Sequence, residues 1–240
     1  MYDIRFFRET ESIKERLVSG AIRRSDMFAI EQILETIRSK SPHIFNIETT
    51  NHCNMTCIMC PRTTLMTRDI QWMGKGEFQN LLDQITPHSE ESLNEFWHFI
   101  REEYGINSDI SNEDAFYFYI VSRCVILHGF GEPLIDKNIA DRVQACTDRG
   151  IPTYFSCVPA NINLKKIKNV LKAGLTVLKF SLDGMDDELQ KKIRGKKNNF
   201  DKSYEAILDV INLKEREGFK TMIVPCMIAL SEDSLSKEMH

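Results

Sequence analysis

The chain has 240 residues, 42% of them hydrophobic, enough to bury one sizeable core. Its 35 acidic against 31 basic side chains leave a formal net charge of -4, without the basic excess that a phosphate track requires, so nucleic acid is not an expected partner. No stretch approaches the roughly 20 uninterrupted apolar residues of a membrane span, and the first residues lack a secretory layout. A cytoplasmic protein without a membrane partner is expected. Seven cysteines is an odd number, and three of them crowd around positions 53–60, which fits metal binding in a reducing compartment better than a disulfide framework.

Residues 1–42 are expected to form an N-terminal helical extension, with Met27, Ile30, Ile33, Leu34 and Ile37 at helical spacing before Ser41-Pro42 stops the pattern. The remainder, 43–240, alternates strand-like runs with amphipathic helices, the pattern of parallel strands joined by crossovers. Strands are expected at 44–50, 124–128, 153–158, 176–182 and 221–230. The intervening helices place Phe78, Leu81, Leu82 and Ile85 on one face, then Ile139, Val143 and Cys146, then Leu164, Ile167, Val170 and Leu171, then Tyr204, Ile207, Leu208 and Ile211. Gly150, Gly174 and Gly218 close the last three. An acidic insertion, 86–116, breaks the rhythm; a short helix over 93–104 plus loop, solvated and without a catalytic role, is the expectation.

The loop after the first strand reads Cys53-Asn54-Met55-Thr56-Cys57-Ile58-Met59-Cys60. Three thiolates on one short loop can each take one iron of a cubane cluster and leave the fourth iron open. Structural zinc would need a closed set of four ligands, and the adjacent His52 can hardly turn onto the metal that Cys53 holds. Plain burial explains poorly three cysteines on a loop that also carries Asn51, Asn54 and Thr56.

The Cys-x3-Cys-x2-Cys pattern, flanked by Thr50-Asn51-His52 and Pro61-Arg62, resembles the signature of the radical S-adenosylmethionine (SAM) superfamily and its peptide- and cofactor-maturing, SPASM-type branch. The resemblance spans 44–230. It implies an α/β fold, a partial (β/α)6 TIM-like barrel of parallel strands, here lacking the sixth strand, with the chemistry at the C-terminal mouth of the strands. Gly129-Phe130-Gly131-Glu132-Pro133 resembles the family's Gly-Gly-Glu-Pro motif, which receives the amino group of SAM; Phe130 replaces its second glycine. Ser181 and Asp183, two apart on one strand face, are implied for the ribose and the SAM carboxylate, and Arg194 for a forked bond to that carboxylate. Met59, where the family usually has an aromatic residue, keeps a backbone amide for adenine. Ser156-Cys157-Val158-Pro159-Ala160-Asn161 stands where many relatives have Thr-Asn-Gly.

The resemblance implies an oxidoreductase or maturase in which Cys53, Cys57 and Cys60 hold a [4Fe-4S] cluster that cleaves SAM reductively. The resulting 5′-deoxyadenosyl radical takes a hydrogen atom from a peptide, cofactor precursor or sugar. Asn46, Glu48 and Lys179, polar residues within strands, are candidates for substrate contacts or for an internal salt bridge. Lys191, Lys192, Lys196 and Lys197 form either a wet helix end or a patch for an acidic electron donor of the flavodoxin or ferredoxin type. The rival readings are a non-catalytic iron-sulfur or SAM-binding module and a zinc-stabilised interaction protein. Residues 231–240 are too few for a crossover helix and a strand, so a piece of a larger maturase is also expected.

Overall fold

The computed structural model describes residues 2–23, 25–40 and 43–228. The Ser41-Pro42 break, the last two residues of the expected fifth strand and the stretch 231–240 lie outside the described residues. Along the chain the elements are α1 (Ile4–Val18), α2 (Met27–Ile37), α3 (Pro61–Leu65), α4 (Lys75–Leu82), α5 (Glu90–Tyr104), α6 (Glu113–Arg123), β1 (Val125–Ile126), α7 (Ile139–Thr147), β2 (Thr153–Cys157), α8 (Leu164–Lys172), β3 (Val177–Ser181), α9 (Asp187–Arg194), α10 (Phe200–Glu217) and β4 (Met222–Cys226). They fall into two compact units, Met1–Phe45 with Gln84–Val125, and Asn46–Asp83 with Ile126–His240.

In the first unit the Asp3 carboxylate accepts from Phe6 N at 2.9 Å and so starts α1. Helix α2 forms where expected, yet none of its described side chains is fully buried. The stretch expected to be a solvated insertion does more. Ser89 caps α5 and Gly105 (φ 66°) ends it, while Asn112 caps α6 through Asp114 N and Ala115 N. Ile4, Phe96 and Ile100 form a buried cluster against which Phe7, Phe99 and Phe118 pack. The Phe7 ring meets Phe96 edge-on at 5.9 Å and Phe118 at 6.0 Å, contacts worth about 0.5–1.5 kcal/mol each beyond area burial.

The second unit carries a four-stranded sheet in the order β1-β2-β3-β4. The pairs β2–β3 and β3–β4 are parallel, with Tyr154 opposite Val177 and Ser181 opposite Cys226. Helices α7, α8 and α10 bury Val143, Ile167, Val170, Ile207 and Val210, and Phe155, Leu178 and Phe180 of the strands are fully buried. Each such side chain contributes about 1.5–3 kcal/mol of burial. The fold class expected from the sequence holds: an α/β chain with parallel strands in a partial barrel.

Two expected strands differ in form. The first survives as an isolated parallel bridge, Asn46 to Ile126, and an antiparallel one, Thr50 to Trp72. The chain leaves the ladder because residues 49–51 bind the returning segment instead: Met73 N donates to Thr49 O at 2.9 Å and Thr50 Oγ1 to Gln71 O at 2.8 Å. The second shortens to two residues because the glycine-rich turn that follows is drawn to the cysteine loop, Glu132 N donating to His52 O at 2.8 Å. Helix α10 is rotated from the expected face. Ser203, Ile207, Val210 and Leu213 are buried, whereas Tyr204 and Leu208 are exposed.

Candidate functional site

The C-terminal ends of all four strands open on one cavity of ≈ 300 Å³, at the low end of the range for small-ligand sites. Cys53, Cys57 and Cys60 line it, as do Gly129, Phe130, Gly131 and Glu132 after β1, Ser181 and Asp183 after the middle of β3, and Arg194 at the end of α9. Met59 is apart from this set and packs against the Met55, Cys57 and Val158 cluster.

The cysteine loop is held from three sides. Arg62 donates to Asn51 O at 3.3 Å and Cys53 O at 2.5 Å. Asn54 and Asn161 exchange amide hydrogen bonds of 2.8 and 3.0 Å, which ties the loop to the end of β2. Ile58 N donates to Ile193 O at 2.9 Å, which ties it to α9. Gly131 is required where it lies, because a Cβ there would run into the Thr50 carbonyl oxygen. At Gly195, φ 95°, a Cβ would run into the Thr56 hydroxyl.

All seven cysteines are free thiols. Burial pushes the Cys53 and Cys57 thiols up, and for Cys57 the neighbouring Arg194 guanidinium, 3.7 Å from the sulfur, pulls the other way. Among the described residues no group of three or more His, Cys, Asp or Glu side chains is gathered closely enough to hold a metal ion. The loop's donor set fits a polynuclear iron-sulfur centre, with three thiols on one loop at the cavity and no fourth on that loop to close the set; Cys157 and Cys226 line the same cavity from the strands, and burial pushes the Cys157 thiol well up.

Glu132 is 3% exposed. Its two carboxylate oxygens accept from Leu134 N at 3.1 Å and Val158 N at 3.0 Å, and burial pushes its pKa up to about 7. The Asn161 side chain bonds the same carboxylate. Asp183 and Arg194, both given SAM contacts by the resemblance, are paired with each other; Asp183 also accepts from Ile228 N at 2.9 Å. Ser181 Oγ lies 3.0 Å from Ser156 Oγ.

Of the residues expected to face substrate, Asn46 donates to His128 O at 2.8 Å and Glu48 pairs with Arg68 at 2.8 Å while accepting from Phe130 N at 2.6 Å. Glu48 and Arg68 also line a larger cavity, ≈ 750 Å³, with Asp69 and Trp72. Lys179 faces the smaller cavity and forms no ion pair among the described residues. Its charge adds to burial in holding the His128 imidazole down to about 4. His128, Tyr154, Cys157 and Cys226 complete that lining. His128 and Tyr154 were not singled out by the sequence reading. The period-two spacing of Tyr154 and Ser156 on β2 could have found Tyr154.

A partial parallel α/β barrel with a cysteine-lined cavity at the strand ends defines the class. The radical SAM superfamily model matches residues 120–235, a region that carries the strand-end motifs and excludes the cysteine loop. Among solved structures, SuiB of Streptococcus suis bound to S-adenosylmethionine aligns with 98% of this chain and 48% of its own at 16% identity and TM-score 0.53. SuiB bound to precursor peptide SuiA aligns with 97% and 48% at 14% identity and TM-score 0.54. Methylornithine synthase (PylB) aligns with 82% and 48% at 14% identity and TM-score 0.48. The chain thus spans about half the length of these structures. No curated protein matches it. The chain resembles the radical SAM superfamily in fold and in its family-model match, and that family implies SAM and an iron-sulfur cluster. Among the described residues no helix is long and apolar enough to cross a membrane.

Proposed function

We propose that this chain is the core of a radical SAM oxidoreductase or maturase in which Cys53, Cys57 and Cys60 hold a [4Fe-4S] cluster and SAM lies beside it. The observation that carries the reading is the shared cavity: the three free thiols of the loop and the polar strand ends meet around one space, which Cys157 and Cys226 also line. When bound, the cluster and SAM would supply a 5′-deoxyadenosyl radical that takes a hydrogen atom from the substrate.

The protein's own part is to hold, orient and exclude water. Gly129 and Gly131 let the backbone approach the amino group of SAM, and Glu132 fixes that turn to the end of β2 through Val158 N. Ser181 offers a hydroxyl to the ribose or the carboxylate. Arg194, neutralised by Asp183, presents its remaining N–H groups to the Cys57 sulfur and to the carboxylate of SAM. Met59 contributes a backbone amide for adenine. The substrate is a peptide, a cofactor precursor or a sugar, and Lys179, a cation on the cavity wall without an ion pair among the described residues, favours one that bears an anionic group near the reacting carbon. A small flavodoxin- or ferredoxin-type protein supplies the electron, and a reducing cytoplasm suits the thiolates.

Anaerobic reconstitution with iron and sulfide tests this assignment. About four irons and four sulfides per chain are expected, with an electron paramagnetic resonance signal of the reduced protein that changes on adding SAM. Alanine at Cys53, Cys57 and Cys60 together should abolish the iron chromophore; stoichiometric zinc in the native protein, or a retained chromophore, overturns the reading.

A further inference from the structure

Gly129, Phe130 and Gly131 line the small cavity, and their three backbone carbonyls accept no hydrogen bond among the described residues. The N–H groups of the same stretch explain why. Phe130 N donates to Glu48 Oε1 at 2.6 Å and Glu132 N to His52 O at 2.8 Å, so two alternate N–H groups are tied to the segment that leads into the cysteine loop. A planar trans peptide sets its N–H and C=O in opposite directions, and none of the described peptide bonds is cis. The carbonyls of Gly129 and Gly131 are therefore turned away from that segment and kept as acceptors.

Of the two anchors only Glu48 is a side chain, and it is itself held. Its second oxygen pairs with Arg68 at 2.8 Å, and the Arg68 guanidinium lies 5.8 Å from the centre of the Phe130 ring, within reach of a cation–π contact. A Cβ on Gly129 would meet the Glu48 carboxylate, so side chain and turn are in direct contact. Glu48 and Arg68 line the larger cavity and are absent from the lining of the smaller one. Glu48 thus acts on the small cavity through the turn.

We propose that Glu48 is a positioning residue for SAM: by holding the Phe130 N–H it aims the Gly129 carbonyl at the amino group of SAM. The inference rests on the reading that SAM lies in the small cavity, and it gives Glu48 a part in cofactor binding in place of a substrate contact. An acceptor whose direction is fixed beforehand costs less ordering when the ligand arrives. Without Glu48 the Phe130 N–H loses its acceptor, and the peptide that carries the Gly129 carbonyl is free to turn.

The test measures iron content and, by calorimetry on cluster-loaded protein, the affinity for SAM and for 5′-methylthioadenosine, which keeps the adenine and ribose of SAM and lacks its amino and carboxylate groups. Glu48→Ala and Glu48→Met both remove the acceptor, the second with the length of the side chain kept. SAM is a sulfonium cation, so loss of a nearby carboxylate also acts through charge alone. Two further variants separate that effect: Glu48→Gln removes the charge and keeps an acceptor for Phe130 N–H, and Asp69→Ala removes another carboxylate of the larger cavity. For Glu48→Ala and Glu48→Met a loss of SAM affinity of about tenfold or more is expected, with iron content unchanged and 5′-methylthioadenosine affinity within about twofold of the parent. Glu48→Gln should stay within about threefold of the parent for SAM, and Asp69→Ala within about twofold. SAM affinity unchanged in both acceptor-less variants, an equal loss for 5′-methylthioadenosine, or a loss in Glu48→Gln as large as in Glu48→Ala overturns the proposal. A cluster-loaded parent that binds no SAM overturns the radical SAM reading and this inference with it, and so is told apart from failure of the inference alone.

Discussion

Ser181 shows how one hydroxyl can be assigned and tested. Its only described hydrogen bond is to Ser156, so Ser181→Ala removes a group on the cavity wall without stranding a charge. SAM affinity should fall by about 1 kcal/mol, a factor of five or so, with iron content unchanged; calorimetry on cluster-loaded protein checks this, and an unchanged affinity would remove Ser181 from the pocket. Asp183 is a poorer probe, because its loss would leave the Arg194 guanidinium uncompensated. His128 gives a pH test. Its imidazole titrates near 6.5 in the unfolded chain and is held down to about 4 in the folded one, by burial first and the Lys179 charge second. Between those values the unfolded chain binds more protons, so this contribution is complete above about 6.5 and is lost on acidification toward 4. The stability advantage of the parent over His128→Gln, measured by urea unfolding, should therefore shrink from pH 7 to pH 4.5. A difference constant with pH would contradict it. The opposite contribution of Glu132, whose raised pKa favours the folded state at lower pH, is common to both proteins and cancels.

At the scale of elements, helices with a clean apolar stripe were largely legible in the sequence: α7 and α8 lie within the expected helices and bury Ile139, Val143, Cys146, Ile167, Val170 and Leu171, although Leu164, expected to face inward, is exposed at the first turn of α8. Helix α10 was rotated because Tyr204 and Leu208 are apolar but exposed, and a single chain gives no sign of which of two adjacent stripes meets the sheet. The first strand was legible as an apolar run, yet not its early exit toward residues 71–73, which depends on partners about twenty positions away. Arg142 was missed for the same reason. It is buried, pairs with the buried Asp136 at 2.7 Å, donates to Met73 O at 2.6 Å and stacks on Phe78 at 5.0 Å, so α7 fixes the segment that returns beside the cysteine loop. Arg142→Met keeps much of the volume and leaves the Asp136 carboxylate without its counter-ion. A loss of about 3–5 kcal/mol is expected, read as a lower urea midpoint with an unchanged slope; a loss below about 1 kcal/mol would mean that the pair is not what holds this segment.

At the scale of the whole molecule, the three cysteines and the glycine-rich turn were legible because their chemistry depends on spacing along the chain, which a sequence displays directly. The pairing of Asn54 with Asn161 was not, since it joins side chains 107 positions apart that only the fold brings together, and neither was that of Asp183 with Arg194, which depends on how α9 packs after β3. The first of these ties the cysteine loop to the end of β2. If the cavity works as proposed, SAM and an electron are enough for bond cleavage even before the substrate is known. The most direct measurement is anaerobic incubation of the reconstituted chain with SAM and dithionite, followed by quantification of 5′-deoxyadenosine. The account predicts slow formation of 5′-deoxyadenosine that disappears in the variant with alanine at Cys53, Cys57 and Cys60; a cluster-loaded protein that binds SAM and forms none would contradict it.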